Sequence, residues 1–181
     1  LIGPFILKIV NRENRIYLLN SGLEGEILCF NIDGRFLFKI NNKGRGPGEY
    51  TIANDFDVNS ENKTLAILSS TGHKLVIYGI SDTGFTFQNS ISLNDPAPYK
   101  FCMAPETDNL FLAIPPWRGT EPTLSLLINT IGDTIHFKSN CYKYNMVKKT
   151  HAIASSEMLV YSISNIVCFK EEFSDTVFYV D

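Results

Sequence analysis

Ile16-Tyr17-Leu18-Leu19-Asn20-Ser21 is answered 49 positions later by Leu65-Ala66-Ile67-Leu68-Ser69-Ser70, an apolar run of equal length closed by small polar residues. The match continues outward. Glu26-Ile27-Leu28-Cys29-Phe30 falls on Lys74-Leu75-Val76-Ile77-Tyr78 at an offset of 48, and Asp33-Gly34 falls near Asp82-Thr83-Gly84, each a turn signal before another apolar run. Self-similarity at a period of about 48 residues is the mark of a tandem architecture. A third unit is looser: Leu110-Phe111-Leu112-Ala113, then Leu124 to Asn129, then Gly132-Asp133 before Thr134-Ile135-His136-Phe137. A fourth runs through Met158 to Ser162, Asn165 to Phe169 and Asp175 to Tyr179.

Each unit reads as short Val, Ile, Leu, Phe and Tyr runs separated by Asn, Asp, Gly, Ser and Pro, the pattern of strands joined by turns. The first turns show it: Asn11-Arg12-Glu13-Asn14, Asn59-Ser60-Glu61-Asn62, Glu106-Thr107-Asp108-Asn109 and Ser155-Ser156-Glu157. Four-stranded antiparallel units of this length in tandem predict propeller blades, which stack face to face and bury both sides of each sheet. That accounts for strands apolar at consecutive positions, such as Ile27-Leu28-Cys29-Phe30, where a half-solvated sheet would alternate. The expectation is an all-β, propeller-type single domain with blades at 1-43, 44-95, 96-145 and 146-181. An open stack of about four blades leaves apolar faces exposed. They call for a compact four-bladed ring, another copy of the chain, or blades outside it, and a partial propeller is the favoured reading.

Composition narrows the function. The 16 Lys and Arg against 19 Asp and Glu lack the basic excess of a surface that tracks phosphates, so nucleic acid is not an expected partner. No apolar run has the ~18 residues of a membrane-spanning helix. The chain begins at Leu1 rather than Met, so an N-terminal piece is expected to lie outside it, and any signal peptide would lie there. Cys29, Cys102, Cys141 and Cys168 show neither a CxxC pair nor zinc-finger spacing. Cys29 and Cys168 sit in apolar runs, where a free cysteine acts as a small buried hydrophobe; a disulfide is the alternative.

The most specific string is Gly44-Arg45-Gly46-Pro47-Gly48-Glu49-Tyr50, between the last strand of the first unit and the first of the second. A phosphate cradle needs such glycines to lead into a helix, and here no Lys-Ser/Thr and no helical run follow. The string instead suits a sharp crossover between blades.

Residues Gly25 to Tyr78 resemble the six-bladed β-propeller proteins of Gram-negative gut anaerobes, relatives of NHL-repeat propellers. The resemblance rests on Phe30-Asn31-Ile32-Asp33-Gly34-Arg35-Phe36-Leu37, on the glycine-rich string, on Asp55-Phe56, and more weakly on Asp175-Thr176-Val177-Phe178-Tyr179. It implies secretion to the periplasm or cell surface, often with a lipid anchor, and a binding role. It also implies six blades, whereas this chain has room for about four.

In a meander, loops joining strands two and three share an end with the crossovers, and functional loops cluster by end. That end is expected to gather Arg45, Glu49, Tyr50, His73 and the loop Pro115-Pro116-Trp117-Arg118-Gly119-Thr120-Glu121-Pro122. Trp117, the sole tryptophan, beside Arg118 suits a sugar or peptide, or else caps its own blade. The crossover from Tyr142 to Lys149, with Tyr144, is aromatic and basic, fitting an anionic or glycan partner or a solvated loop. No GxSxG or HExxH motif is present, and no cofactor is expected. Asp55-Phe56-Asp57-Val58-Asn59 starts like a calcium loop, but Ser60 and Ala66 stand where Gly and Glu are required. The reading is therefore a binding or scaffolding module for a glycan, peptide or protein, with self-association through open blade faces a further expectation. The alternative is a propeller hydrolase or lyase whose axial metal is held by His151 with Asp55 or Asp57.

Overall fold

The computed structural model describes residues 5–20, 25–59, 61, 63–107, 109–144, 157–163 and 165–180, and these form strands and turns without a helix. They divide into two compact units, Leu1–Ala97 and Pro98–Asp181.

In the first unit, β1 (Ile6–Arg12), β2 (Arg15–Asn20), β3 (Glu26–Asn31) and β4 (Phe36–Ile40) pair in chain order as one antiparallel meander. β5 (Asp55–Asn59), β6 (Thr64–Ser69), β7 (Lys74–Ile80) and β8 (Phe85–Ser92) form the next. The β1–β2 hairpin turns on Glu13 and Asn14, both at positive φ (47° and 61°), the backbone that matches the twist of the flanking strands. Val10 then faces Tyr17, and Arg12 faces Arg15.

All five residues of β5 are buried. Phe56 and Val58 enter one cluster with Tyr17, Leu19, Ile27, Cys29, Phe38 and Ile40 of the preceding sheet and with Leu65, Ile67, Val76 and Tyr78 of their own. Alternation sets Asp55, Asp57 and Asn59 on the opposite side of the strand. The Asn59 side chain accepts the Glu61 amide at 3.1 Å and starts the following turn. The outermost strand β8 is largely exposed from Thr86 to Asn89.

In the second unit, β9 (Lys100–Met103), β10 (Leu110–Ala113), β11 (Thr123–Ile128) and β12 (Thr134–Ser139) make a third meander. β13 (Leu159–Ile163), β14 (Ile166–Lys170) and β15 (Val177–Val180) make a sheet that is three-stranded among the described residues. Cys102, Phe111 and Ala113 pack against Met158, Val167 and Phe169, with the Phe111 and Phe169 rings 5.2 Å apart.

Every sheet is thus an up-and-down meander, and within each unit the two sheets pack face to face, the construction of propeller blades. The repeat read from Ile16 and Leu65 is real: these are the second strands of the first two blades. Cys29, Cys102 and Cys168 are buried, and Cys141 is exposed.

Candidate functional site

The crossover from β4 to β5, residues 41–54, is a built loop. The Gly44 amide donates to the Tyr50 carbonyl at 3.0 Å, and the Tyr50 amide to the Asn42 carbonyl at 2.9 Å. The second blade clamps it from outside: Lys74 Nζ donates to the Gly46 carbonyl and the Tyr78 hydroxyl to the Gly48 carbonyl, each at 2.8 Å. Burial pushes the Tyr78 phenol up to about 12, with Asn42 pulling the other way. The loop between β6 and β7 lies at the same end, since Thr51 Oγ1 is 3.0 Å from both Ser69 Oγ and Thr71 Oγ1.

Placement separates the four candidates in this unit. Tyr50 is a correction: it is fully buried, its hydroxyl donates to the Ile40 carbonyl at 3.1 Å, and it belongs to the core rather than to a ligand surface. Glu49 turns back into the loop, where its carboxylate accepts the Gly46 amide at 2.8 Å. Gly44, at φ +150°, has a backbone that side-chain-bearing residues rarely adopt, and a Cβ there would also push the Glu49 carboxylate out of its place. Arg45 is exposed at the tip, and His73 is exposed in the β6–β7 loop at φ 49°.

The second unit assembles more. The β10–β11 loop is held from within by Glu121, a carboxylate buried to 4% exposure that accepts the Arg118 amide at 2.7 Å and the Thr120 amide at 3.1 Å. Asn140, just after β12, ties down the loop's end by donating to the Glu121 carbonyl at 3.0 Å. Trp117 is half-buried, its ring edge-to-face with Tyr99 at 5.1 Å, while Arg118 is exposed. The Tyr144 hydroxyl donates to the Pro116 carbonyl, and Tyr144 backbone lies so close over Gly119 (φ +69°) that a Cβ there would collide with it.

Tyr142 and Tyr144 also meet a residue that the sequence does not single out. Both rings pack edge-on against Phe173, at 5.4 and 6.0 Å, in the β14–β15 loop, and Phe173 remains 57% exposed. The same loop carries Glu171, buried, which accepts the Tyr142 hydroxyl at 2.8 Å and pairs with Lys138. The hydrogen bond to Glu171 is the main reason the Tyr142 phenol is pushed up to about 12. Glu171-Glu172-Phe173 joins β14 to β15, the second and third described strands of that sheet, whereas a first turn at Ser155-Ser156-Glu157 counts it as a strand-three-to-four loop, which is why the sequence reading passes over it.

The proposed metal ligands have other employment. Asp55 pairs with Lys8 Nζ at 2.9 Å and accepts the Phe56 amide at 2.9 Å, and Asp57 accepts the Val58 amide at 2.9 Å. His151 lies outside the described residues. Among the described residues, no three His, Cys, Asp or Glu side chains come together as a metal site.

At the other loop end of the first unit, a cavity of about 270 Å³ opens between the two sheets. Arg12, Glu13 and Arg15 of the first hairpin, Lys63 of the corresponding hairpin in the second blade and Asp82 of the β7–β8 turn rim it, over Tyr17 and Val58.

Antiparallel meanders stacked by their faces, with reinforced loops at the crossover ends, define a β-propeller-type protein. The chain belongs to the family described as a domain of unknown function, DUF4934, which matches residues 1–181. Among solved structures it is similar to a Bacteroides fragilis protein whose name describes it, by inference, as exported, with TM-score 0.69 and 19% identity over 96% of this chain and 47% of that one. It is also similar to the RRP9 WD40 repeats (TM-score 0.52, 13% identity, 70% of this chain, 36% of that one). Sqt1 of Saccharomyces cerevisiae is a further likeness (TM-score 0.53, 13% identity, 86% and 38%). At these identities the likeness is one of fold, and the chain spans less than half the length of each. No curated protein sequence matches it.

Proposed function

We propose that this chain is part of an extracytoplasmic binding or scaffolding module that holds a glycan, peptide or protein partner at the crossover-end loops of its blades. The observation that carries the reading is the aromatic surface of the second unit. Trp117 on its Glu121-braced loop, Tyr142, Tyr144 and Phe173 come from three separate segments and are fixed by buried polar contacts, while Phe173 stays open to solvent. Rigid aromatics that keep exposed area hold a partner at low cost in conformational entropy. Extracytoplasmic placement is supported by the likeness to the Bacteroides fragilis protein named for export. A six-bladed, NHL-like whole protein, lipid-anchored at the periplasm or cell surface, is supported by the glycine-rich crossover and by the chain covering 47% of that structure. Apolar side chains exposed on β1 (Leu7, Ile9) and on β13 (Leu159, Ile163) are faces on which further blades would stack; a dimer in light scattering would assign them to a second copy.

Trp117 is the sole tryptophan, so its fluorescence reports on the site directly. Glycan and peptide arrays probed with the chain should give a binder, and Trp117→Ala and Phe173→Ala should each weaken it on the order of tenfold without lowering the melting temperature. Binding retained in both variants would move the function elsewhere.

A further inference from the structure

We propose that the cavity at the hairpin end of the first unit is a binding site for a small monocarboxylate with an apolar body. Its walls come from turns of two blades, so stacking of the sheets creates it. Arg15 Nη1 donates to the Ser81 carbonyl at 2.7 Å, and Nη2 to Asp82 Oδ1 at 2.5 Å. The guanidinium is four-fifths buried in its side chain, while the Asp82 side chain is 98% exposed. Arg15 therefore already holds a carboxylate, supplied by a turn residue that solvent would hydrate fully on release. Because the Asp82 side of the pair is open to solvent, screening leaves it worth little, and an entering carboxylate displaces Asp82 at small cost. Arg15 itself stays charged: burial works against it, but its hydrogen bond donated to the Tyr17 phenol oxygen and the surrounding groups, Asp82 among them, outweigh the loss.

Charge and lining select the ligand. Arg12, Arg15 and Lys63 line the cavity together with Glu13 and Asp82, an excess of one positive charge that matches a monoanion. A dianion would meet both carboxylates. Tyr17 and Val58, at 1% and 3% exposure, and Ile80 offer an apolar floor. A carboxylate on the guanidinium fork, with its carbon skeleton on that floor, uses both features.

Benzoate, benzamide and inorganic phosphate, titrated separately into the isotope-labelled full chain, test this. Benzoate should shift the Arg15 and Ile80 amide resonances saturably, with benzamide and phosphate weaker by about tenfold. Arg15→Gln should weaken benzoate by about tenfold and Lys63→Gln by about threefold, whereas Asp82→Asn should tighten it by about threefold by removing the internal competitor. If Arg15→Gln fails to fold, the other two variants decide. Benzamide binding as well as benzoate, phosphate binding more tightly, or Asp82→Asn weakening benzoate would each overturn the proposal.

Discussion

Glu121 and Gly119 decide whether the tryptophan loop has one conformation. A buried carboxylate is costly unless hydrogen-bonded, and Glu121 meets that condition by accepting two amides of its own loop. Glu121→Ala leaves both amides without their partner and should cost about 2 kcal/mol in urea unfolding followed by Trp117 fluorescence, with a red-shifted native spectrum. An unchanged spectrum and midpoint would mean that the prolines alone hold the loop. Gly119→Ala should cost at least about 1 kcal/mol in the same measurement, since the left-handed backbone disfavours a Cβ and the Tyr144 backbone blocks one.

Elements here are strands that bury one set of alternate residues into the neighbouring sheet of their own unit. In the second unit, β10 and β14 are joined through Phe111 and Phe169, 5.2 Å apart and nearly fully buried. Either truncation to Ala should cost about 3–5 kcal/mol. A double-mutant cycle with the milder Leu substitutions should return a coupling of about 1 kcal/mol, the aromatic pair's share beyond area burial. Zero coupling would show that the two sheets do not meet through these rings in solution.

At the scale of the whole molecule, the blade cores set the response to alkali. Burial pushes Cys29 up to about 11 and Tyr17 up to about 12, as it does Tyr78. Relative to ordinary values of 9.0 for the thiol and 10.0 for the phenols, the folded chain keeps protons that the unfolded chain has released. Between pH 9 and about 12 the folded state therefore binds more protons, and stability, complete below that range, falls as pH rises through it. Denaturation midpoints taken at intervals from pH 8 to 12 should decline progressively; a flat profile would mean that these groups titrate in the folded state without penalty.

The amino-acid sequence by itself determined the strands, their turns and their repetition, because each depends on a few neighbouring residues: apolar runs at strand length, and Asn, Asp and Gly where the chain reverses. It also placed Trp117 and the glycine-rich string at crossover ends, since a meander alternates direction with every turn. Tertiary structure alone decided which way each side chain went. Tyr50 and Glu49 share a loop with Arg45, yet the tyrosine closes the core and the glutamate braces the turn. Phe173 joins Tyr142 and Tyr144 across some thirty positions, and Arg12, Lys63 and Asp82 share one cavity, because stacking brings turns of successive blades together. Such contacts carry no local period: they arise from the packing of one sheet on the next, and no stretch of a single strand encodes them.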